Sequence, residues 1–280
     1  MHRIALHSWT LGERPLPELI ETARRAGYDA IEANWQDFAR CRDVGVSARE
    51  LRARLDDGGI EVAVVGVQPG WLFAEGGEAE RWWEQIRRTA DDALGVGCNA
   101  LMSALGRTAG PVGIAEKNIR TVARLAAALG MSLAIEYNFG HPTLASLDSV
   151  RDLVRCAGSS HCGLVLDSYH LHRGGRPGRG FEAIETHEIL HVQVSDVPAV
   201  PADDGGVPLD RLPPGAGQVD WTAFLQLLFE KGYGGVVSYE APNPVHWARD
   251  PDVTAREGLR AIRDLMALAR PVSDRSRSSG

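Results

Sequence analysis

The sequence has few of the features that mark secreted, membrane-bound or disulfide-stabilised proteins. It contains only four cysteines in 280 residues, and none of them forms a C-x-x-C pair. A chain of this length needs no disulfides, so reduced thiols are expected. No apolar run reaches the ~18 residues that a transmembrane helix requires, and the N-terminal MHRIALHSWT has no signal-peptide hydrophobic region. These absences predict a cytoplasmic protein that does not contact a membrane.

Positive charge is also scarce. The formal net charge is −7, and no basic block interrupts the sequence. Binding to nucleic acid needs clustered Lys and Arg side chains, so no nucleic-acid partner is expected. The first predicted strand is not followed by G-x-G-x-x-G, which argues against a doubly wound dinucleotide-binding sheet. No other glycine-rich phosphate loop stands out, which favours an unphosphorylated small-molecule substrate.

Short apolar runs alternate with longer amphipathic segments along the chain. Eight such repeats predict a single-domain (β/α)8 TIM barrel over residues 1–270, followed by a polar, disordered tail at 271–280. The predicted strands lie near 3–9, 29–34, 60–67, 98–105, 131–136, 163–167, 189–195 and 235–240. The predicted helices are 16–26, 47–57, 78–95, 112–129, 144–157, 220–231 and 252–269, with a short one in FEAIETH at 181–187.

Polar residues end the last four predicted strands. In a TIM barrel the active site lies at these C-terminal strand ends. Alternation along 189–195 places Leu190, Val192 and Val194 towards the helices, and His191, Gln193 and Ser195 towards the barrel interior. The other three strands end in Glu136, Asp167 and Glu240.

Three buried carboxylates without partners would be very costly, and a divalent cation removes that cost. Oxygen-rich ligation favours Mn²⁺ or Mg²⁺, although Zn²⁺, Co²⁺ or Fe²⁺ could also bind. Any single carboxylate could instead cap a helix or pair with an arginine. For four successive strand ends, the metal hypothesis is the stronger one.

Three segments resemble one family. They are the D-x-x-H of Asp167–His170, HVQVSD at 191–196 and RLPPGAGQVDW at 211–221. Together they resemble the xylose isomerase-like barrels of sugar isomerases and epimerases, especially the 2-keto-myo-inositol and hydroxypyruvate or 2-oxo-tetronate isomerases. The resemblance implies metal ligands at Glu136, Asp167, Gln193 and Glu240, and substrate contacts at His170 and Arg211. Many relatives have His where this chain has Gln193, so His191 is kept as a fallback ligand.

The hypothesis is a divalent-metal-dependent isomerase or epimerase of a sugar or keto-polyol. Glu136 and Glu240 would act as paired bases that form and quench an enediolate. Further substrate contacts are predicted at the ends of the first two strands, at His7, Glu32 and Trp35.

Three alternatives stay open at this point. The same site could dehydrate a keto-polyol, as inosose and 3-dehydroshikimate dehydratases do. An endonuclease IV-like phosphodiesterase would need a His-rich multi-zinc cluster, and a non-catalytic sugar-binding barrel would need no paired bases. A homo-oligomer is compatible with each of them.

Overall fold

The structure, a computed structural model, describes residues 2–201 and 208–269; the tail predicted at 271–280 lies outside these ranges. Eight parallel strands pair in sequence order and close into a barrel, because β8 also pairs with β1. The predicted TIM barrel is therefore confirmed. The strands are β1 (Ile4–His7), β2 (Ala30–Asn34), β3 (Glu61–Gly66), β4 (Ala100–Ala104), β5 (Ser132–Glu136), β6 (Cys162–Asp167), β7 (Ile189–Val194) and β8 (Val237–Tyr239).

Helices surround the barrel, and local signals define their ends. Ser47 caps α3 in a reciprocal capping box with Glu50, and Gly27 ends α1 with φ at 88°, a conformation that favours glycine. Within the described ranges, no helix is both long and apolar enough to cross a membrane. The helices are α1 (Leu16–Ala26), α2 (Trp35–Asp43), α3 (Ala48–Gly58), α4 (Gly76–Gly95), α5 (Val112–Ala128), α6 (Leu147–Cys156), α7 (Ser168–Arg173), α8 (Trp221–Glu230), α9 (Pro244–Trp247) and α10 (Pro251–Ala269).

The connections after β2, β6 and β8 differ from the sequence-based expectation. The segment FEAIETH forms a turn and then a single 3-10 turn at Thr186–Glu188, so the helix predicted at 181–187 is wrong. The carboxylate of Glu188 binds Arg151 and the Glu185 backbone N–H, which fixes this short segment before a helix can extend. Conversely, α2, α7 and α9 are absent from the sequence-based prediction, although Asn34 and Asp37 form the capping box that begins α2.

The interior of the barrel is apolar beneath its polar mouth. Val64, Met102, Ala134 and Val165 form a buried cluster there, and Leu190 packs against it. The predicted outward orientation of Leu190 is therefore wrong. A bulge in the β6–β7 pairing causes this, because Leu164 pairs with Ile189 while Val165 pairs with His191, leaving Leu190 as an extra residue.

Candidate active site

The barrel brings the predicted strand-end carboxylates together at one end. Glu136, Asp167 and Glu240 are all buried, with exposed fractions of 5%, 1% and 6%. Ligand atoms of Glu136, Asp167 and His170 all lie within 4.8 Å of one another. Gln193 is the register partner of Asp167 on the neighbouring strand. The C-terminal ends of β5 to β8 therefore form one buried polar cluster.

Arg211 supplies a buried cation to this cluster from the segment between β7 and α8. Its Nη1 donates to Asp167 Oδ2 at 2.7 Å and to Glu240 Oε2 at 3.1 Å. Its guanidinium also lies over the ring of Tyr169, with the central carbon 4.7 Å from the ring centroid. The nearby carboxylates outweigh the effect of burial and raise the pKa of Arg211. The side chain is thus a permanent positive charge that bridges two of the carboxylates.

His170 lies beside Arg211 as a neutral ring. Its Nε2 faces two N–H donors, Asn138 Nδ2 at 3.0 Å and Arg211 Nη2 at 3.1 Å. Both of these groups donate, so Nε2 is the acceptor and the proton belongs on Nδ1. Burial lowers the pKa of His170 to about 3, although Asp167 opposes this effect. Nε2 also lies 3.4 Å from Glu136 Oε1, which places the ring against a predicted base.

A second anionic centre, Glu32, lies on the other side of the barrel interior. Its two oxygens accept hydrogen bonds from His191 Nε2 at 2.9 Å and from Gln193 Nε2 at 3.0 Å. Burial raises the pKa of Glu32, but His191 and His7 outweigh it and lower the pKa to about 2. His191, the fallback metal ligand, therefore directs Nε2 at Glu32 and not at the cluster around Asp167.

His7 connects the two anionic centres. Its Nδ1 accepts the Trp9 backbone N–H at 3.0 Å, so the ring proton belongs on Nε2. That nitrogen lies 3.8 Å from Glu32 Oε1 and 3.7 Å from Glu240 Oε1. His7 therefore lies between the second anionic centre and one of the predicted bases.

The two predicted bases retain protons more readily than ordinary glutamates. Burial and the facing carboxylates of Glu240 and Asp167 raise the pKa of Glu136 well above its usual range. Burial also raises the pKa of Glu240, although Arg211 and His7 oppose it. Carboxylates in this position would gain greatly from a bound cation.

The donor chemistry fits a divalent metal ion. The four predicted ligands, Glu136, Asp167, Gln193 and Glu240, all offer oxygen, the donor that Mg²⁺ and Mn²⁺ prefer. Gln193 Oε1 is buried and has no hydrogen-bond partner among the described residues. An orphaned buried acceptor beside a carboxylate cluster is unusual in proteins, and a cation would satisfy it.

Sequence reasoning missed several residues around His170. Asn138 lies two residues after Glu136, and its Oδ1 accepts the Leu105 N–H while its Nδ2 contacts His170. Phe139 lies against the His170 ring, with centroids 5.5 Å apart, and Arg173 lies over Phe139. The position of Asn138 and Phe139 in the loop directly after Glu136 was an available signal. Trp35 is half-buried at the first residue of α2.

Curated proteins that resemble the chain carry the names of a dehydratase and of isomerases. The chain is 28% identical to 3-dehydroshikimate dehydratase of Pseudomonas aeruginosa over 260 residues, 88% of this chain and 39% of that protein. It is 28% identical to inosose isomerase of Halalkalibacterium halodurans over 51% of this chain and 49% of that protein. It is 26% identical to a putative hydroxypyruvate isomerase of Streptomyces coelicolor, covering 81% and 86% of the two chains. The chain thus spans less than half the length of the first two relatives.

Solved structures share the fold, and a family model matches most of the sequence. A xylose isomerase-like TIM barrel/4-hydroxyphenylpyruvate dioxygenase fusion protein superposes with a TM-score of 0.86 at 23% identity, over 96% of this chain and 43% of that one. The IOLI protein, solved with a zinc atom, superposes with a TM-score of 0.83 at 19% identity, over 96% and 100%. The model of the xylose isomerase-like TIM barrel matches residues 20–265. The chain therefore belongs to the xylose isomerase-like TIM barrel family.

Proposed function

We propose that the protein is a divalent-metal-dependent isomerase or epimerase that enolises a small sugar or keto-polyol. One observation carries the proposal: two buried glutamates, Glu136 on β5 and Glu240 after β8, converge with Asp167 on the same cation-bridged cluster. Relatives named inosose isomerase and hydroxypyruvate isomerase support the same reaction class.

The metal ion would be held by Glu136, Asp167, Gln193 and Glu240. Oxygen ligands favour Mn²⁺ and Mg²⁺. Zn²⁺ is a further candidate, because the structure of the IOLI protein contains a zinc atom. When bound, the ion would polarise the substrate carbonyl and so acidify the neighbouring C–H bond. The remaining chemistry belongs to the side chains of this chain.

Proton transfer would fall to the two glutamates. One carboxylate removes the proton from the carbon beside the carbonyl, and the resulting enediolate carries negative charge on oxygen. Arg211, held by Asp167 and Glu240, would stabilise that charge from a fixed position. Asn138 and Arg211 already occupy His170 Nε2, so the Nδ1–H of His170, which has no partner among the described residues, would be the group that donates to a substrate oxygen. Return of a proton to the adjacent carbon isomerises the substrate, and return to the opposite face epimerises it.

Dehydration is the second candidate. The alignment with 3-dehydroshikimate dehydratase covers 88% of this chain, whereas the alignment with inosose isomerase covers 51%. Both reactions begin with loss of the proton beside the carbonyl. The two reactions differ in the next step, because a dehydratase expels a β-hydroxyl as water whereas an isomerase returns the proton to carbon.

The test compares metal-stripped and Mn²⁺-loaded protein on an inosose, hydroxypyruvate and 3-dehydroshikimate. Proton NMR in D₂O follows both deuterium uptake beside the carbonyl and product formation. We expect metal-dependent turnover of one substrate, and the product then separates isomerase, epimerase and dehydratase. Sugar binding with neither exchange nor product, with and without Mn²⁺, would overturn the proposal and favour a binding protein.

A further inference from the structure

The environment of Glu32 differs from that of the other buried carboxylates. Glu32 has an exposed fraction of 1%, and its carboxylate is hydrogen-bonded to His191 and Gln193, both on β7. Each glutamate oxygen has one of these partners: Oε2 faces His191 Nε2, and Oε1 faces Gln193 Nε2. The carboxylate of Glu32, on β2, is therefore hydrogen-bonded to two side chains of β7 across the barrel interior.

This contact fixes which end of the Gln193 amide is free. A carboxylate accepts hydrogen bonds and offers none, so the NH₂ group of the amide must face Glu32. The carbonyl oxygen is then the atom left over, and it is the buried Oε1 that has no partner among the described residues. Rotation of the amide by 180° would place oxygen against oxygen at Glu32. It would also put the NH₂ group where Oε1 now lies, and an NH₂ group cannot bind a cation.

We infer that Glu32 is a positioning residue, which holds the amide of Gln193 so that its oxygen serves as the fourth metal ligand. The inference rests on the metal site of the proposed function. His191 contributes by holding the second oxygen of Glu32, which fixes the carboxylate itself. An imidazole ligand needs no such choice between oxygen and NH₂, so the requirement arises from glutamine at position 193.

The test measures Mn²⁺ affinity without substrate. Free Mn²⁺ is quantified by EPR for the wild type, Glu32→Gln, Gln193→Ala and the double variant. Glutamine at 32 can bond to the Gln193 amide in either orientation, so we expect Mn²⁺ affinity to fall about 10- to 100-fold in Glu32→Gln. If Glu32 acts through the amide, the same change in the Gln193→Ala background should weaken binding by less than about threefold.

The double variant separates positioning from simple loss of negative charge. An equal fall in affinity in both backgrounds, or no fall in Glu32→Gln, would overturn the inference while leaving the metal site intact. Absence of Mn²⁺ binding by the wild type would overturn the metal site and the inference together. Thermal unfolding of each variant in EDTA tests folding, and Glu61→Gln, an exposed carboxylate at the start of β3, should leave Mn²⁺ affinity unchanged.

Discussion

Arg211 Nη1 lies 2.7 Å from Asp167 Oδ2, so a cation from the segment after β7 is hydrogen-bonded to the carboxylate that ends β6. The same nitrogen contacts Glu240, and both partners are buried. A divalent ion bound by these carboxylates and the Arg211 guanidinium would both neutralise the same negative charges. Stability and metal binding should therefore be linked at this position.

Arg211→Gln should destabilise the protein by about 3 kcal/mol, because it leaves buried carboxylates without their cation. Added Mn²⁺ should recover part of this loss, so the rise in Tm on adding Mn²⁺ should be larger in the variant than in the wild type. Differential scanning calorimetry with Mn²⁺ and with EDTA measures both effects. Arg151→Gln breaks a different ion pair, with Glu188, and should show the wild-type response to Mn²⁺. An equal rise in Tm for Arg211→Gln and the wild type would contradict the link.

Glu136→Gln and Glu240→Gln should each lower kcat for the proposed enolisation by about 10²- to 10⁴-fold, because an amide cannot accept the substrate proton. Steady-state kinetics with the substrate identified by NMR would measure this effect. Glu61→Gln changes a solvent-exposed carboxylate and should retain wild-type kcat. Near-normal turnover in both active-site variants would exclude the paired-base mechanism.

Asn138→Ala removes one of the two N–H groups that face His170 Nε2, and also the acceptor of the Leu105 N–H. Loss of one such hydrogen bond is worth about 1 to 1.5 kcal/mol, so kcat/KM should fall about tenfold. Asn138→Asp keeps the acceptor but loses the NH₂ donor, and it should be impaired to a similar extent. Full activity of both variants would show that His170 needs no support from this loop.

Asp196 should stabilise the segment that carries Arg211, because its backbone pairs with Leu212. Its carboxylate is fully buried and accepts N–H groups from Val197, Gly215, Val219 and the Trp221 ring. Asp196→Asn directs an NH₂ group at these donors and should cost about 3 kcal/mol of stability, as judged by urea unfolding. Trp221→Phe removes one of the four bonds along with its packing and should cost less. The reverse order would contradict this role.

Glu188 should make unfolding dependent on acid pH. Hydrogen bonding from Arg151 lowers its pKa to about 2 against the opposing effect of burial. The unfolded chain has the ordinary glutamate pKa near 4.3, so the stabilisation is complete above that pH. It is lost as the pH falls through about 2. Glu188→Gln should remove about 2 kcal/mol at pH 7 and flatten the fall in stability between pH 4.5 and 2. A parallel acid-unfolding curve for the variant would contradict this assignment.

The polar residues at the strand ends could be predicted from the sequence, because side chains alternate along each strand and each strand of a TIM barrel directs its C-terminal end towards the same mouth. Glu136 and Asp167 end their strands as predicted, and the polar face of β7 at His191 and Gln193 points inward. The pairs of side chains that contact each other across the site could not be predicted in this way. Whether Arg211 contacts Asp167, and whether His191 contacts Glu32, depends on packing across the barrel that no local pattern specifies.

The remaining errors have one local and one long-range cause, and sequence periodicity detects neither. The helix α2 begins at a capping box without a long apolar period, so its signal was chemical and not periodic. The segment FEAIETH has helical spacing, but Glu188 is held by Arg151 from α6, a contact far away in the sequence. Only a tertiary structure reveals that competition.

The bulge in β7 determines the polarity of everything that follows it in that strand. Because Leu190 and His191 both turn inward, the phase of the alternation is reversed from that point, and Val192 faces the helices while Gln193 faces the cavity. Gly163 makes room for this, since a Cβ there would lie 2.5 Å from Leu190 Cγ. Regular pairing that kept Leu190 in the ladder would turn Gln193 towards the helices, whereas deleting Leu190 would remove the bulge and leave Gln193 facing inward. The inward orientation of Gln193 at the mouth therefore depends on a bulge near the base of the strand, which absorbs one extra residue beside Gly163.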